Sequence, residues 1–246
     1  MPNHEPPDSG TPSLHGFLSV LQLSDSAFPS GRYTLSHGLE TLAQSGRLTT
    51  PSDPVVLSAL LSDHLRFGVG PSDGVALACA HRATDTADRA DLKSVLRADE
   101  RLTAVKVSRE SRETSTRTGR ALLRVATSTF GDRAVRDYAH EVTEGRTPGN
   151  HAVVLGILSA CRAVPRLEAV AGELFAFSAS WVAAAVRLAL TDHSTAQAVL
   201  HHVRPVMSEA ALSAVDKDVP DIVSCTPLLD VMAMRHEETE LRLFAS

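Results

Sequence analysis

Residues 166–190 constrain the fold more than any other part of the chain. Between Glu173 and Arg187 no side chain is charged, and the segment is apolar almost all round a helical wheel. That pattern marks a helix buried on most of its faces. Its longest charge-free run, residues 174–186, is shorter than the ~20 residues that cross a bilayer, so the expectation is a central core helix. A helix of this kind needs a surround, and the remaining sequence supplies helical periodicities without alternating strand pairs joined by Asn-Gly turns. The expected fold is all-α, a single-domain helical bundle of roughly eight to ten helices.

The chain divides as follows. Residues 1–13 read as a disordered leader, being rich in Pro, Gly, Ser and Asp, and residues 14–246 as the helical domain. Leu14, Phe17, Leu18 and Leu21 recur at i, i+3, i+4 and i+7, one apolar helix face. Pro29 and Gly31 break that helix. A second is expected over 33–44. A third, over 55–67, is expected to stop at Gly68, Gly70 and Pro71. Further helices are expected over 73–84, from an Asp88 cap through Leu92, Val95 and Leu96, and over the highly charged 108–129. In that last stretch Glu113 and Arg117 stand at i, i+4. Asn150 can cap the run 152–160, where helix and strand cannot be separated by periodicity. Residues 194–213 read as a helix that Pro205 should kink or interrupt. Pro220 and Pro227 bracket a loop before a polar C-terminal segment.

Lys and Arg number 24 against 29 Asp and Glu, a formal charge of −5, which gives no electrostatic reason to expect nucleic acid as a partner. The three cysteines, Cys79, Cys161 and Cys225, are widely spaced and odd in number. They suit free thiols in a reducing cytoplasm better than a disulfide or zinc framework. The N-terminal stretch lacks the basic and apolar regions of a signal peptide.

Chemistry-bearing motifs are sparse. There is no Gly-x-x-x-x-Gly-Lys-Ser/Thr loop to cradle phosphates, no Gly-x-Gly-x-x-Gly and no Gly-x-Ser-x-Gly elbow. The histidines form no His-x-x-x-His pair, and adjacent His201 and His202 diverge on a helix. His37 with Glu40, or His236 beside Glu237, could contribute to a weak oxygen and nitrogen site for a transient metal ion. A metal-dependent helical hydrolase would need two or more of His37, His151, His193, His201 and His236 around one ion.

Two segments at opposite ends resemble a known family. Leu21-Gln-Leu-Ser-Asp-Ser-Ala-Phe-Pro-Ser-Gly-Arg-Tyr-Thr-Leu-Ser-His-Gly-Leu-Glu40 resembles the opening motif of the urease accessory protein UreF family. Met234-Arg-His-Glu237 with Arg242-Leu-Phe-Ala-Ser246 resembles its closing motif. Between them, Arg112-Glu-Thr-Ser115 with Gly119 and Leu122-Leu123, His151-Ala-Val-Val154 with Gly156, and Ser180-Trp181 with Arg187-Leu188 keep the family's order. Arg32 stands where the family has a second glycine, putting a new charge near an expected partner surface. Leu241 stands where the family has Ser.

The resemblance implies an all-helical, cytoplasmic homodimer without catalytic activity or cofactor. It further implies a role as a chaperone that joins the accessory protein UreD (UreH in some species) to the GTPase UreG and delivers nickel to apo-urease. No membrane or nucleic acid enters that role. The expected partner-binding residues are Asp25, Tyr33, His37 and Glu40 in the opening motif, and Arg235, His236, Glu237, Arg242, Leu243 and Phe244 in a tail over 234–246. Arg242 is the favoured anchor, with Tyr33 and His37 as an aromatic wall and Asp25 or Glu40 as its anionic partner. Arg112, Arg117, Arg120 and Arg124 are the residues that could face the GTPase, including as an inserted arginine. His37 and His236 are the weak, transient nickel candidates.

Overall fold

The computed structural model describes residues 13–29, 31–32, 35–86 and 90–237. Within them the chain is all helical, with no strand. The helices are α1 (Leu14–Ser24), α2 (Leu39–Gln44), α3 (Pro54–Asp63), α4 (Val75–Thr84), α5 (Leu92–Val105), α6 (Arg109–Thr129) and α7 (Arg133–Thr143). They continue with α8 (His151–Cys161), α9 (Arg166–Arg187), α10 (His193–His202), α11 (Arg204–Ala214) and α12 (Pro227–His236). A π-helical stretch, His64–Gly74, joins α3 to α4, and a short 3₁₀ turn covers Val219–Asp221.

Start signals are explicit. The side chains of Ser13, Asp53, Asp91, Ser108 and Asp192 accept hydrogen bonds from first-turn amides of α1, α3, α5, α6 and α10, each satisfying a donor with no partner inside its helix. The cap of α5 is therefore Asp91; Asp88 lies outside the described residues. Residues 194–213 divide as expected at Pro205, which sits in the first turn of α11.

Two boundaries differ from expectation. The second helix begins at Leu39, because His37 and Gly38 both take positive φ, 53° and 83°, which α-helix cannot accommodate. Residues 55–67 do not end at Pro71. The helical path continues through it into α4, its turn widened to the π form. Pro71 has no N–H to donate back into the preceding turn, and within that turn the Phe67 carbonyl accepts from the backbone N–H of Cys225 at 2.8 Å. Val223 N–H likewise reaches Pro71 O at 3.1 Å, and Ser72 Oγ donates to Gly68 O at 2.8 Å. The extended segment before α12 is thus pinned along the π turn.

One connected hydrophobic core runs through the bundle. Helix α9 passes the length and apolarity test for a membrane span, yet it carries Trp181, Leu174 and Phe177 into that core. Helix α8 resolves the ambiguous 152–160 run as helix, with every residue from His151 to Ser159 buried. It crosses α4 and α6 at small residues. A Cβ on Gly156 would lie 2.5 Å from Leu77 O, and one on Gly119 would lie 2.1 Å from Gly149 O and 2.6 Å from His151 N. These are backbone atoms, so no side-chain rotation relieves the overlap. The expected outcome for Gly119→Ala is a loss of roughly 1–3 kcal/mol or more, seen as a lower urea midpoint by the fluorescence of the single, buried Trp181. An unchanged midpoint would refute this account of the crossing.

Candidate functional site

The opening motif, the start of α6 and the closing motif meet at one buried clasp. His236, in the last turn of α12, is 2% exposed, and Glu40 of α2 is fully buried. The His236 ring places Nδ1 2.9 Å from both carboxylate oxygens of Glu110 and Nε2 3.2 Å from Glu40 Oε2. An imidazole with a carboxyl group at each nitrogen needs one proton in each of the two contacts, carried by the ring or by a carboxyl group. Glu237 adds a second fastening. Its Oε1 accepts from the backbone N–H of Glu110 at 3.0 Å, capping the positive end of α6 from outside, with Arg109 Nε at 3.7 Å from Oε2.

Helix α12 roofs a polar cavity of about 170 Å³. On its floor, Arg32 Nη1 donates to Glu173 Oε2 at 2.6 Å and lies 3.2 Å from His151 Nε2. Nε2 must accept there, which places the ring proton on Nδ1. Lys106 Nζ donates to both oxygens of Asp73, at 2.8 and 3.0 Å, and Ser72 Oγ, whose one proton is shared with Gly68 O, lies 2.9 Å from Asp73 Oδ2. His37 and His64 stand edge-on to Phe177, their ring centres 4.7 and 4.8 Å from its own. His37 Nε2 also meets Ser180 Oγ at 3.3 Å.

Burial holds three of these imidazoles neutral. It pushes His37 well below the ordinary histidine value, helped by the charges of His64 and Arg32. It lowers His64 to about 4 against the pull of Asp73. It lowers His151 to about 3, with Arg32 adding. Burial by itself would raise Asp73, but the charge and hydrogen bonds of Lys106 outweigh it and hold the carboxyl low. Glu173 is raised by burial, which Arg32 only partly offsets.

Most expected site residues are placed by the structure, and some have other work. Glu40, expected to receive Arg242, meets His236 of the closing motif instead; Arg242 is not among the described residues. Nor are Tyr33, Leu243 and Phe244. Asp25 ends α1, exposed, with Oδ1 accepting from Ala27 N–H at 2.8 Å. Arg235 is exposed at the end of α12. Arg112 donates to the Lys106 and Val107 carbonyls at 2.7 and 2.8 Å and so fastens the α5–α6 turn. Arg120 Nε donates to Pro148 O at 3.1 Å, while Arg117 and Arg124 project from the same exposed side of α6. Glu113 pairs with Arg109, 3.9 Å away. Arg32, expected at a partner surface, turns inward to Glu173. Its turn keeps a left-handed Gly31, at φ 79°.

The transient-metal candidates separate too. His236 spends both nitrogens on carboxylates, and those carboxylates face opposite sides of one ring, so they cannot converge on a single ion. Among the described residues no group of three or more His, Cys, Asp or Glu could hold a metal. His193 and His201 are exposed on α10. Sequence reasoning missed Glu110, His64 and Glu173. Glu110 carried the one usable signal, an acidic residue beside the Arg-Glu motif at a helix start.

Two outcomes follow from this geometry. In the unfolded chain histidine titrates near ~6.5, so below that pH the unfolded state binds protons that His64 and His151 refuse in the fold. Stability therefore falls as pH drops from about 6.5 towards their folded values. Glu173, raised in the fold, opposes that trend just above the ordinary carboxylate range. Urea midpoints at pH 7 and pH 5 should differ for the native chain and differ less for His64→Gln; equal pH slopes would overturn the assignment. Separately, His236→Leu leaves two buried carboxyl groups without the imidazole that both contact. It should cost about 3–5 kcal/mol and speed protease cleavage within α12. A variant as stable and as resistant as the native chain would show that the clasp does not hold the helix.

The chain is also similar in sequence to known proteins. The family model described as UreF matches residues 52–204. The chain is 33% identical to the urease accessory protein UreF of Trichodesmium erythraeum, over 93% of this chain and 96% of that one. It is 30% identical to UreF 2 of Brucella canis, over 94% and 93%, and 30% identical to UreF of Corynebacterium efficiens, over 93% and 96%. A match of this length, with the opening and closing motifs joined in one clasp, places the chain in the UreF family of urease accessory proteins.

Proposed function

We propose that this chain is a non-enzymatic urease-maturation chaperone. It works in the cytoplasm as a homodimer, bridging UreD (UreH) and the GTPase UreG so that GTP hydrolysis is coupled to nickel delivery into apo-urease. Family membership supports the maturation role, and the clasp of Glu40, Glu110 and His236 carries the rest of the reading. It spends the residues that stand out in the motifs on positioning α12 and leaves that helix's outer side, with Leu228, Val231 and Met234 each 40% exposed, free to meet a partner. In this reading Asp25, Tyr33, Arg235, Arg242, Leu243 and Phe244 belong to the partner-facing ends of the chain, His37 and Glu237 hold those ends in place from within, and nickel is cargo.

A second reading makes the chain a GTPase-activating regulator through an inserted arginine. Arg117, Arg120 and Arg124 favour it, lining an open groove beside Pro29 and Gly31. An inserted arginine contributes on the order of 10³–10⁵ in turnover. Loss of that size in one Arg→Ala variant would select this reading.

The deciding experiment is light scattering on size-exclusion fractions of the chain mixed with its UreD and UreG, using the full chain and a chain ending at Ala233. A ternary complex that forms with the full chain and not with the shortened one is the expected result. No association by either chain would overturn the bridging role.

A further inference from the structure

Helix α6 carries a basic face on its outer side. Arg117, Arg120 and Arg124 stand at i, i+3 and i+7, neighbours along one side of a helix, and all three are exposed. Glu113 is spaced to pair with Arg117, yet its carboxylate lies 3.9 Å from Arg109 Nε instead. Among the described residues no ion pair joins Arg117, Arg120 or Arg124 to an acidic side chain. Arg120 is steadied by its Nε, which donates to Pro148 O at 3.1 Å. The three arginines line an open groove bordered by Pro29 and Gly31, with the small side chains of Thr116 and Ala121 also facing it.

The charge and spacing of this face select its occupant. The chain as a whole carries −5, so three arginines without counter-charges run against its average. Like charges at these spacings repel along the helix, and an anion seated across them relieves that repulsion. At 1.5 Å per residue the three positions lie in steps of about 4.5 and 6 Å along the axis. A second helix laid alongside presents Glu or Asp at i, i+3 and i+7 in the same steps. Each carboxylate then meets one guanidinium, in the geometry that permits two parallel N–H···O bonds. A nucleic-acid backbone fits less well, because the acidic surround repels it and binding to it needs a broader basic field.

We infer that this groove docks an acidic helix of a partner protein, with Arg117, Arg120 and Arg124 acting as a set. The inference names the chemistry of one contact in the bridging role above and rests on that role for the partner. The test is fluorescence anisotropy of the full chain with two labelled helical peptides, one carrying Glu at i, i+3 and i+7 and the other Lys at the same positions. The native chain should bind the Glu peptide and not the Lys peptide, more weakly as salt is raised. Arg117→Glu/Arg120→Glu/Arg124→Glu should lose the Glu peptide at least tenfold and take up the Lys peptide, with unchanged circular dichroism. Arg47→Glu/Arg97→Glu/Arg204→Glu reverses three exposed arginines outside α6 as a charge-matched control, and should behave as the native chain. If the control loses the Glu peptide as fully as the α6 variant, binding follows net charge and the inference fails. If a duplex RNA displaces the Glu peptide from the native chain, the groove reads phosphate and the inference fails. Glu-peptide binding without any complex with UreD and UreG overturns the bridging role and leaves the groove standing. A complex formed equally by the native chain and the α6 variant, with no Glu peptide bound, does the reverse.

Discussion

The buried carboxylate of Asp99 organises the half of the molecule on which the site is built. It sits in α5 with no exposed surface. It accepts from Tyr138 Oη at 2.7 Å, Thr147 Oγ1 at 2.6 Å and Gly149 N–H at 2.8 Å. It also accepts from Asn150 N–H at 2.9 Å and Asn150 Nδ2 at 2.7 Å. Donors converging from α7 and the 147–150 loop replace the water that the carboxylate loses on burial. Burial and the Asp99 charge in turn hold the Tyr138 hydroxyl protonated far above its ordinary range. Asn150 stands at the cap position of α8, but its side chain is spent on Asp99 and caps nothing. The loop is therefore fixed by α5, and α8 starts where Asp99 puts it. That start sets the approach of Gly119 to Gly149 and aims His151 at Arg32.

From there the polar interior builds outward. Arg32, Glu173 and His151 form one buried group, Lys106 and Asp73 a second, and the clasp around His236 a third, all bordering one cavity. Such groups are costly to bury and add little net stability compared with a packed apolar core. What they add here is position. Each joins segments distant in the chain: the opening loop to α9, the π turn to the end of α5, and α12 to both α2 and α6. An apolar contact tolerates sliding; a carboxylate facing each nitrogen of one ring does not.

How much of this could be read beforehand depends on whether the signal was local. Helix α9 was legible because its apolar run is continuous, and α6 because Ser108 and the charged face that follows it are local too. The end assigned at Pro71 failed because the donor that rescues Phe67 O belongs to Cys225, far along the chain. The start of α2 failed because positive φ at His37 has no dedicated residue type to announce it. At the site, Glu40 and His236 stood out individually as motif residues, yet their contact is tertiary and no spacing encodes it. Arg32 was conspicuous as a departure from the family pattern, but Glu173, its partner, lies on a helix legible only as core. The residues that mattered were visible; the pairing was not.

The two ends of the chain present outward apolar stripes by opposite means, and the difference bears on how they work. Helix α1 is seated by Gly16, Ser19 and Leu23, contacts without charge that no ion or pH change competes for, so its stripe is a fixed surface. Helix α12 buries few large apolar side chains, Met232 foremost, and is otherwise seated by His236 and Glu237. A seat made of charge-assisted hydrogen bonds is strong while closed and open to exchange, because an incoming carboxylate or guanidinium can replace each contact in kind. The first seat is fixed by packing, and the second can open without disturbing the core.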